Sequence, residues 1–268
     1  MTISNPYLTL TQEGAVATVT LNRPEKHNAW HPQMGLDLQV LVRGLGDDAS
    51  VRVIVITGAG KTFCAGLDMD YMRDVQAGRI TPVPDPGPGS DDLNQRYSYL
   101  MGIPKPVICA INGPAVGIGL VLALFCDIRF AASSARFSAM FSRRGLIPEH
   151  GITWLLPRMI GLPRAIEMMM SGRMVNATEA ERLGLVNECF DDMVFRAEVA
   201  QRAQDLAENS SPRSNRIIKR LTYEATTSSL TEAVHASYRE LPGTLASDDF
   251  REGVQHFIEK RPPRFTGN

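Results

Sequence analysis

The chain has 268 residues, 44% of them hydrophobic and 21% charged, which excludes a disordered or fibrous protein and suits one large domain or one domain with an appendage. Its 28 Lys+Arg against 29 Asp+Glu leave a net charge of −1, so no electrostatic footprint for nucleic acid or for an anionic membrane surface is expected. The longest nearly continuous apolar run, Ala115 to Cys126, has twelve residues where a membrane helix needs about 18 or more, so it reads as a core element.

At the N-terminus, Met1-Thr2-Ile3-Ser4-Asn5-Pro6 lacks the basic start and apolar stretch of a signal peptide, and the expected location is the cytoplasm. Ala15 to Leu21 alternates and is β-branched, a strand stopped by Asn22-Arg23-Pro24. A helical pattern runs from about Gln33 to Leu45. Arg52 to Thr57 is a near-continuous apolar strand of the kind buried on both faces, ending at Gly58-Ala59-Gly60. Asp68 to Gln76 reads as a helix. Gly78 to Asp92, with Pro82, Pro84, Pro86 and Pro88, cannot pack a core and reads as a mobile loop between two core units. Pro106 to Ile111 repeats the buried-strand pattern, ends at Asn112-Gly113-Pro114, and is followed by a helix over Gly119 to Cys126. The repeated switch of period from 2 to 3.6 argues for an α/β architecture.

Beyond residue 150 the pattern turns helical. Met168-Met169-Met170 is adaptable core packing on a predicted helix. Asn176-Ala177-Thr178-Glu179 has the form of a capping box, with Gly184 closing that helix, and Ser229 to Glu232 has it again. Amphipathic runs follow at about 194–208, 212–226, 230–241 and 247–260. The expected division is an α/β core over 1–195 and a helical region over 196–268. Cys64, Cys109, Cys126 and Cys189 have no CxxC spacing and sit among apolar neighbours, so they read as buried free thiols, with no metal site expected.

Two glycine motifs fail. Gly58-Ala59-Gly60-Lys61-Thr62 follows a strand like a phosphate loop, but the glycine required five residues before the Gly-Lys pair is Val55. Gly117-Ile118-Gly119 starts like a dinucleotide fingerprint, but its third glycine is Leu122. A matched pair remains: strand, glycine turn and helix start, once at Phe63 to Asp68 and once at Gly113 to Gly119. A glycine turn opening a helix leaves backbone N–H groups unpaired, with the positive end of the helix dipole behind them. If the two turns converge they make an oxyanion hole able to hold a thioester enolate; alternatively each glycine serves only a tight turn.

The order of these segments identifies a resemblance. Arg23-Pro24 with Asn28-Ala29, then Gly58 to Asp68, Lys105 to Gly119, Cys126-Asp127-Ile128, Phe137-Ser138 and Gly145-Leu146-Ile147-Pro148 together resemble the crotonase superfamily, the enoyl-CoA hydratase/isomerase family. Leu155 to Gly161, Ala180 to Glu188 and Phe250 to Phe265 continue it. The resemblance implies a spiral of ββα units with a C-terminal helical region, assembled as a homo-trimer or hexamer, and an acyl-CoA thioester as substrate with no separate cofactor. It implies that the oxyanion donors are the N–H groups of Leu67 and Ile118, in turns carried by Gly66 and Gly117. It further implies that Ala65, Asp68 and Met69 border the thioester and pantetheine, that Lys26 approaches the CoA phosphates, and that Phe257 and Lys260 meet CoA from a neighbouring subunit.

One departure is informative. The family's hydratases hold their attacking water between two glutamates, and the matching positions here are Val121 and Phe141. Neither side chain can move a proton, so two-carboxylate hydration is not supported. A different acid, Glu149, follows the family proline in Leu146-Ile147-Pro148-Glu149-His150-Gly151, where the family's isomerases keep a single Glu or Asp. One carboxylate suffices to take a proton from C2 and return it at C4, and apolar neighbours such as Met140, Phe141 and Trp154 would raise its pKa. His150 reads as a structural turn residue, Asp68 and Asp127 as helix-end and turn groups, and Trp30 and Trp154 as acyl-pocket or core residues. Three functions remain open: an enoyl-CoA isomerase using Glu149, a hydratase or hydrolase in which Glu149 orients water, and an acyl-CoA-binding protein without turnover. Apolar faces over Leu221, Tyr223, Val234, Tyr238, Phe250, Val254 and Phe257 favour assembly.

Overall fold

The computed structural model describes residues 5–81 and 92–268, so the proline-rich part of the loop expected at 78–92 lies outside the described residues. The chain opens with a hairpin of β1 (Leu8–Glu13) and β2 (Val16–Leu21) and continues through α1 (Pro32–Asp47), β3 (Val53–Gly58), α2 (Met69–Gln76) and α3 (Tyr99–Gly102). Next come β4 (Val107–Ile111), β5 (Ala115–Val116), α4 (Ile118–Leu124), β6 (Ile128–Ala132) and β7 (Arg136–Ser138). The helices α5 (Ile152–Ile160) and α6 (Leu162–Ser171) lead to β8 (Val175–Asn176), α7 (Ala177–Leu183) and β9 (Glu188–Phe190). Four helices finish the chain: α8 (Phe195–Asn209), α9 (Pro212–Ala225), α10 (Leu230–Leu245) and α11 (Asp248–Glu259).

Six strands make the main sheet in the order β1-β2-β3-β4-β6-β9, antiparallel between β1 and β2 and parallel elsewhere. The continuous apolar runs of β3 and β4 are explained by covering on both faces. One face carries Ile54, Ile56, Cys109 and Ile111 into the main core with α1 and α4. The other carries Val53, Val55, Ile108 and Ala110 against Val199, Ala203 and Ala207 of α8.

A second sheet of three short strands, β5-β7-β8, stands beside it. Successive passes of the chain visit both sheets: β4 in the first is followed by β5 in the second and then by α4, and β6 is followed by β7. The pass before them has the same form, because Cys64, downstream of β3, forms a parallel bridge with Ala115 of β5 before the chain enters α2. This winding is the ββα spiral of the crotonase fold.

The C-terminal helices differ in how they are held. Lys219 on α9 is buried and donates to Asp127 at 2.7 Å and to the carbonyls of Leu100 at 2.8 Å and Lys105 at 3.0 Å, while Tyr223 donates to Asp127 at 2.8 Å. Burial pushes the Asp127 carboxyl up and the Lys219 ammonium down, and their contact opposes both shifts. This staple corrects two expectations: Asp127 is more than a turn residue, and Tyr223 packs partly buried against the main core rather than on an exposed face. By contrast α10 buries no residue, and Val234, Tyr238, Phe250, Val254 and Phe257 of α10 and α11 are exposed. The Ser229–Glu232 capping box is complete, whereas at Asn176 only half of one forms because the Glu179 carboxylate turns to Arg173 at 2.8 Å. No helix among the described residues is long and apolar enough to cross a membrane.

Candidate active site

The first glycine turn is fixed by buried polar contacts. Asn28 is fully buried, in the left-handed region at φ 52°, and its amide donates to the carbonyls of Ala59 at 2.9 Å and Thr62 at 2.6 Å while its oxygen accepts the Arg23 N–H at 2.9 Å. Ala65 donates to the His27 carbonyl at 3.1 Å, Trp30 to that of Gly66 at 2.7 Å, and Asp68 to that of Trp30 at 3.0 Å. Leu67 is thus clamped on both sides. Asp68 caps α2 by accepting from the Asp70 N–H at 2.8 Å and pairs with Arg23 at 2.8 Å. Burial acts to raise the Asp68 carboxyl, but Arg23 and the Asp70 N–H outweigh it and the net direction is down.

The second turn is set against the first. Cys64 donates to Pro114 at 3.0 Å and accepts from Val116 at 3.0 Å. In this parallel register Leu67 follows Cys64 by three residues and Ile118 follows Ala115 by three, so the two peptides hold equivalent places in adjacent passes of the spiral. Gly117 donates to Ser138 of β7 at 2.9 Å and takes φ 53°, ψ −115°, a geometry that β-branched residues reject. At Gly119 a Cβ would overlap the Cys64 carbonyl, which is why α4 can pack so closely. Ile118 opens α4 and has no intrahelical acceptor for its N–H. Neither the Leu67 nor the Ile118 N–H donates to another backbone group among the described residues. Two free donors in matched positions are what an oxyanion hole requires.

Val121 is fully buried on α4 and Phe141 is buried in the main core. Glu149 lies on the turn between Gly145 and α5, its side chain 52% exposed and its carboxylate 3.4 Å from Nε2 of His150. Half exposed, the Glu149 carboxylate is not enclosed among the described residues in the way that the expected apolar neighbours Met140, Phe141 and Trp154 would enclose it. His150 was the stronger landmark. Its imidazole is nearly buried and lies edge-on to Tyr97, whose ring tilts against Trp30. Together His150, Tyr97 and Trp154 line a cavity of about 520 Å³ with Met101, Phe125 and Tyr223. The cavity does not include Leu67, Ile118 or Glu149 in its lining. Trp30 is core, while Trp154 lines the cavity with Arg158 stacked 4.0 Å over its ring.

The remaining expected residues are scattered. Lys26 pairs with Asp70 at 2.8 Å on the surface beside the α2 cap, and Ala65 and Met69 are exposed along the same edge. Phe257 is exposed on the last turn of α11, and Lys260, at φ 54°, caps that helix without an ion pair among the described residues. Sequence reading missed Arg23, Asn28 and Tyr97. An asparagine is usually exposed, and only the Arg-Pro…Asn-Ala spacing hinted that Asn28 holds the loop before the first turn.

Residues 11–268 match the family model described as enoyl-CoA hydratase/isomerase. The chain is 38% identical over 258 residues to a 1,2-epoxyphenylacetyl-CoA isomerase of Escherichia coli K12, covering 95% of this chain and 96% of the relative. It is 37% identical over 264 residues to a probable enoyl-CoA hydratase of Rhodobacter capsulatus, covering 94% and 95%. Among solved structures, a probable enoyl-CoA hydratase/isomerase from Mycobacterium abscessus superposes with a TM-score of 0.89 at 32% identity, covering 97% of this chain and 99% of that one.

Proposed function

The chain belongs to the enoyl-CoA hydratase/isomerase family, and from that premise we propose that it moves a double bond within an enoyl-CoA thioester. Glu149 takes a proton from C2 of a 3-enoyl-CoA. The enolate oxygen accepts the Leu67 and Ile118 N–H groups, and Glu149 returns the proton at C4 to give the 2-enoyl product. No cofactor enters, because coenzyme A is part of the substrate. The observation that carries this reading is the pair Val121 and Phe141, both buried and apolar where a two-carboxylate hydratase needs acids, with Glu149 left as the acid on the following turn. The Escherichia coli relative is likewise named for an isomerisation, that of 1,2-epoxyphenylacetyl-CoA.

The carboxylate must serve two carbons of one substrate. A half-exposed side chain on a turn has the freedom to swing between them, whereas a buried one would not. On this reading Ala65, Gly66, Asp68, Met69 and Gly117 border the thioester, Trp154 faces the acyl group, and Lys26 approaches the CoA phosphates. The exposed apolar faces of α10 and α11 pack in a trimer or hexamer that brings Phe257 and Lys260 to a neighbour's CoA. A second reading has one observation in its favour: the 52% exposure of Glu149 admits water, as hydration would require.

Glu149→Gln separates the two. It keeps shape and hydrogen bonding but removes the base, and turnover of 3-enoyl-CoA falls about 100-fold or more while CoA-ester binding holds. Product formed in deuterium oxide is 2-enoyl-CoA, with deuterium wherever the carboxyl exchanges before it returns the proton. Rapid hydration of 2-enoyl-CoA, unaffected by Glu149→Gln, would overturn the proposal.

A further inference from the structure

Isomerisation by a single carboxylate raises a problem of aim. Glu149 is half exposed and belongs to no helix or strand, yet it must approach two carbons of a substrate whose oxygen is held elsewhere. Something has to relate the acid turn to the oxyanion turns, and the described contacts form one continuous path between them. The backbone of Trp30 is bonded on both sides of Leu67, to Gly66 and from Asp68. The Trp30 ring packs on Tyr97 at 5.8 Å, Tyr97 meets the His150 ring at 4.9 Å and 67°, and Nε2 of His150 lies 3.4 Å from the Glu149 carboxylate.

The backbone agrees. His150 sits at φ 59° and Gly151 at φ 79°, two consecutive left-handed residues. The glycine is suited to this and the histidine less so, and a side-chain-bearing residue kept in that region points to a role for the side chain. The turn delivers the imidazole inward, 9% exposed, while its neighbour Glu149 faces outward. His150 also lines the cavity with Tyr97 and Trp154, on the inner side of the turn that carries the acid.

We infer that His150 is the positioning residue for Glu149: its imidazole, seated on Tyr97, holds the carboxylate in the orientation from which it reaches the acyl carbons. The inference rests on Glu149 as the proton carrier. His150 takes no part in the proton's path. It sets the acid's place relative to the Leu67 peptide through Tyr97 and Trp30.

Two substitutions in the full-length protein test this on a 3-enoyl-CoA substrate. His150→Asn tolerates the left-handed backbone but is too short to reach the carboxylate; it lowers kcat about 10- to 100-fold, the scale of a misplaced catalytic group, and leaves KM within about twofold. His150→Gln restores a polar group of greater reach and recovers most of the lost kcat. A structural role alone would move the melting temperature without this split or this rescue. If His150→Asn keeps the wild-type kcat while Glu149→Gln is inactive, the positioning role is wrong and the isomerase reading stands. If Glu149→Gln is itself fully active, both fall. A His150→Asn protein that fails to fold leaves the decision to His150→Gln, whose kcat must then exceed that of His150→Phe by about tenfold or more.

Discussion

The oxyanion turns and the acid turn are built in opposite ways. Around Leu67 and Ile118, neighbouring peptides are bonded, buried or blocked from moving: Asn28 pins the loop before the first, Ser138 braces the second, and Gly119 lets α4 lie on Cys64. Around Glu149 the residues from Ser142 to Ile147 are all exposed, and the acid's carboxylate lies 3.4 Å from Nε2 of its neighbour His150. The difference matches the work proposed for each. A donor pair that stabilises developing charge gains from being fixed in advance, since no energy is then spent on reorganisation during the reaction. A carboxylate that shuttles a proton between two carbons needs a half-exposed tip free to turn between them, within a placement that its neighbour sets.

The largest expected effect comes from disturbing the fixed side. At Gly117 nothing lies within 4 Å of an added Cβ, so crowding at Cβ is not what limits Gly117→Val. The backbone at φ 53° is the obstacle, and the peptide must rotate to relieve it. The Ile118 N–H then points elsewhere, and turnover falls about 100- to 1,000-fold while circular dichroism reports an intact fold. Full activity in a folded Gly117→Val protein would show that this peptide is not a donor.

A smaller loss is expected at Gly119, where the obstacle is steric rather than conformational. A methyl group would overlap the Cys64 carbonyl, so α4 must shift away from the first turn. Overpacking of this kind costs about 1–3 kcal/mol, read as a lower melting temperature, and turnover falls with it because the two donors separate. If Gly119→Ala changed neither quantity, the mutual bracing of the turns would be refuted.

Legibility in the sequence follows the same division. The strands β3 and β4 are readable because both faces are buried and their residues have to be apolar throughout; α9, α10 and α11 are readable because caps and periodicity agree. The glycine turns stand out because conformation and close approach leave no alternative residue at Gly117 and Gly119. What brings the turns together is the Cys64–Ala115 bridge, a contact between passes of the spiral that spacing alone does not reveal. The surroundings of Glu149 were less legible still. Tyr97 reaches His150 across more than fifty positions of sequence, and an aromatic residue at that place reads as ordinary core. Tyr223 was misread for a related reason: its partner, Asp127, lies in the turn between α4 and β6, 96 positions away.

The smallest effect is expected one residue from the largest. Ile118→Val removes a single methylene from a half-buried side chain packed at the edge of the main core, a change that costs at most about 0.5–1.5 kcal/mol of stability. The residue's φ is helical rather than left-handed, so a β-branched side chain is already accommodated there and its N–H keeps its direction. Turnover is therefore expected to stay within about threefold of wild type, because the donor is main chain and the side chain only packs. The same residue type placed at adjacent positions thus distinguishes the two accounts of this turn. If valine at 118 were as damaging as valine at 117, side-chain contact with the substrate, and not the backbone donor, would be what this turn supplies. If valine at 117 abolishes turnover and valine at 118 does not, the chemistry resides in the peptide between them.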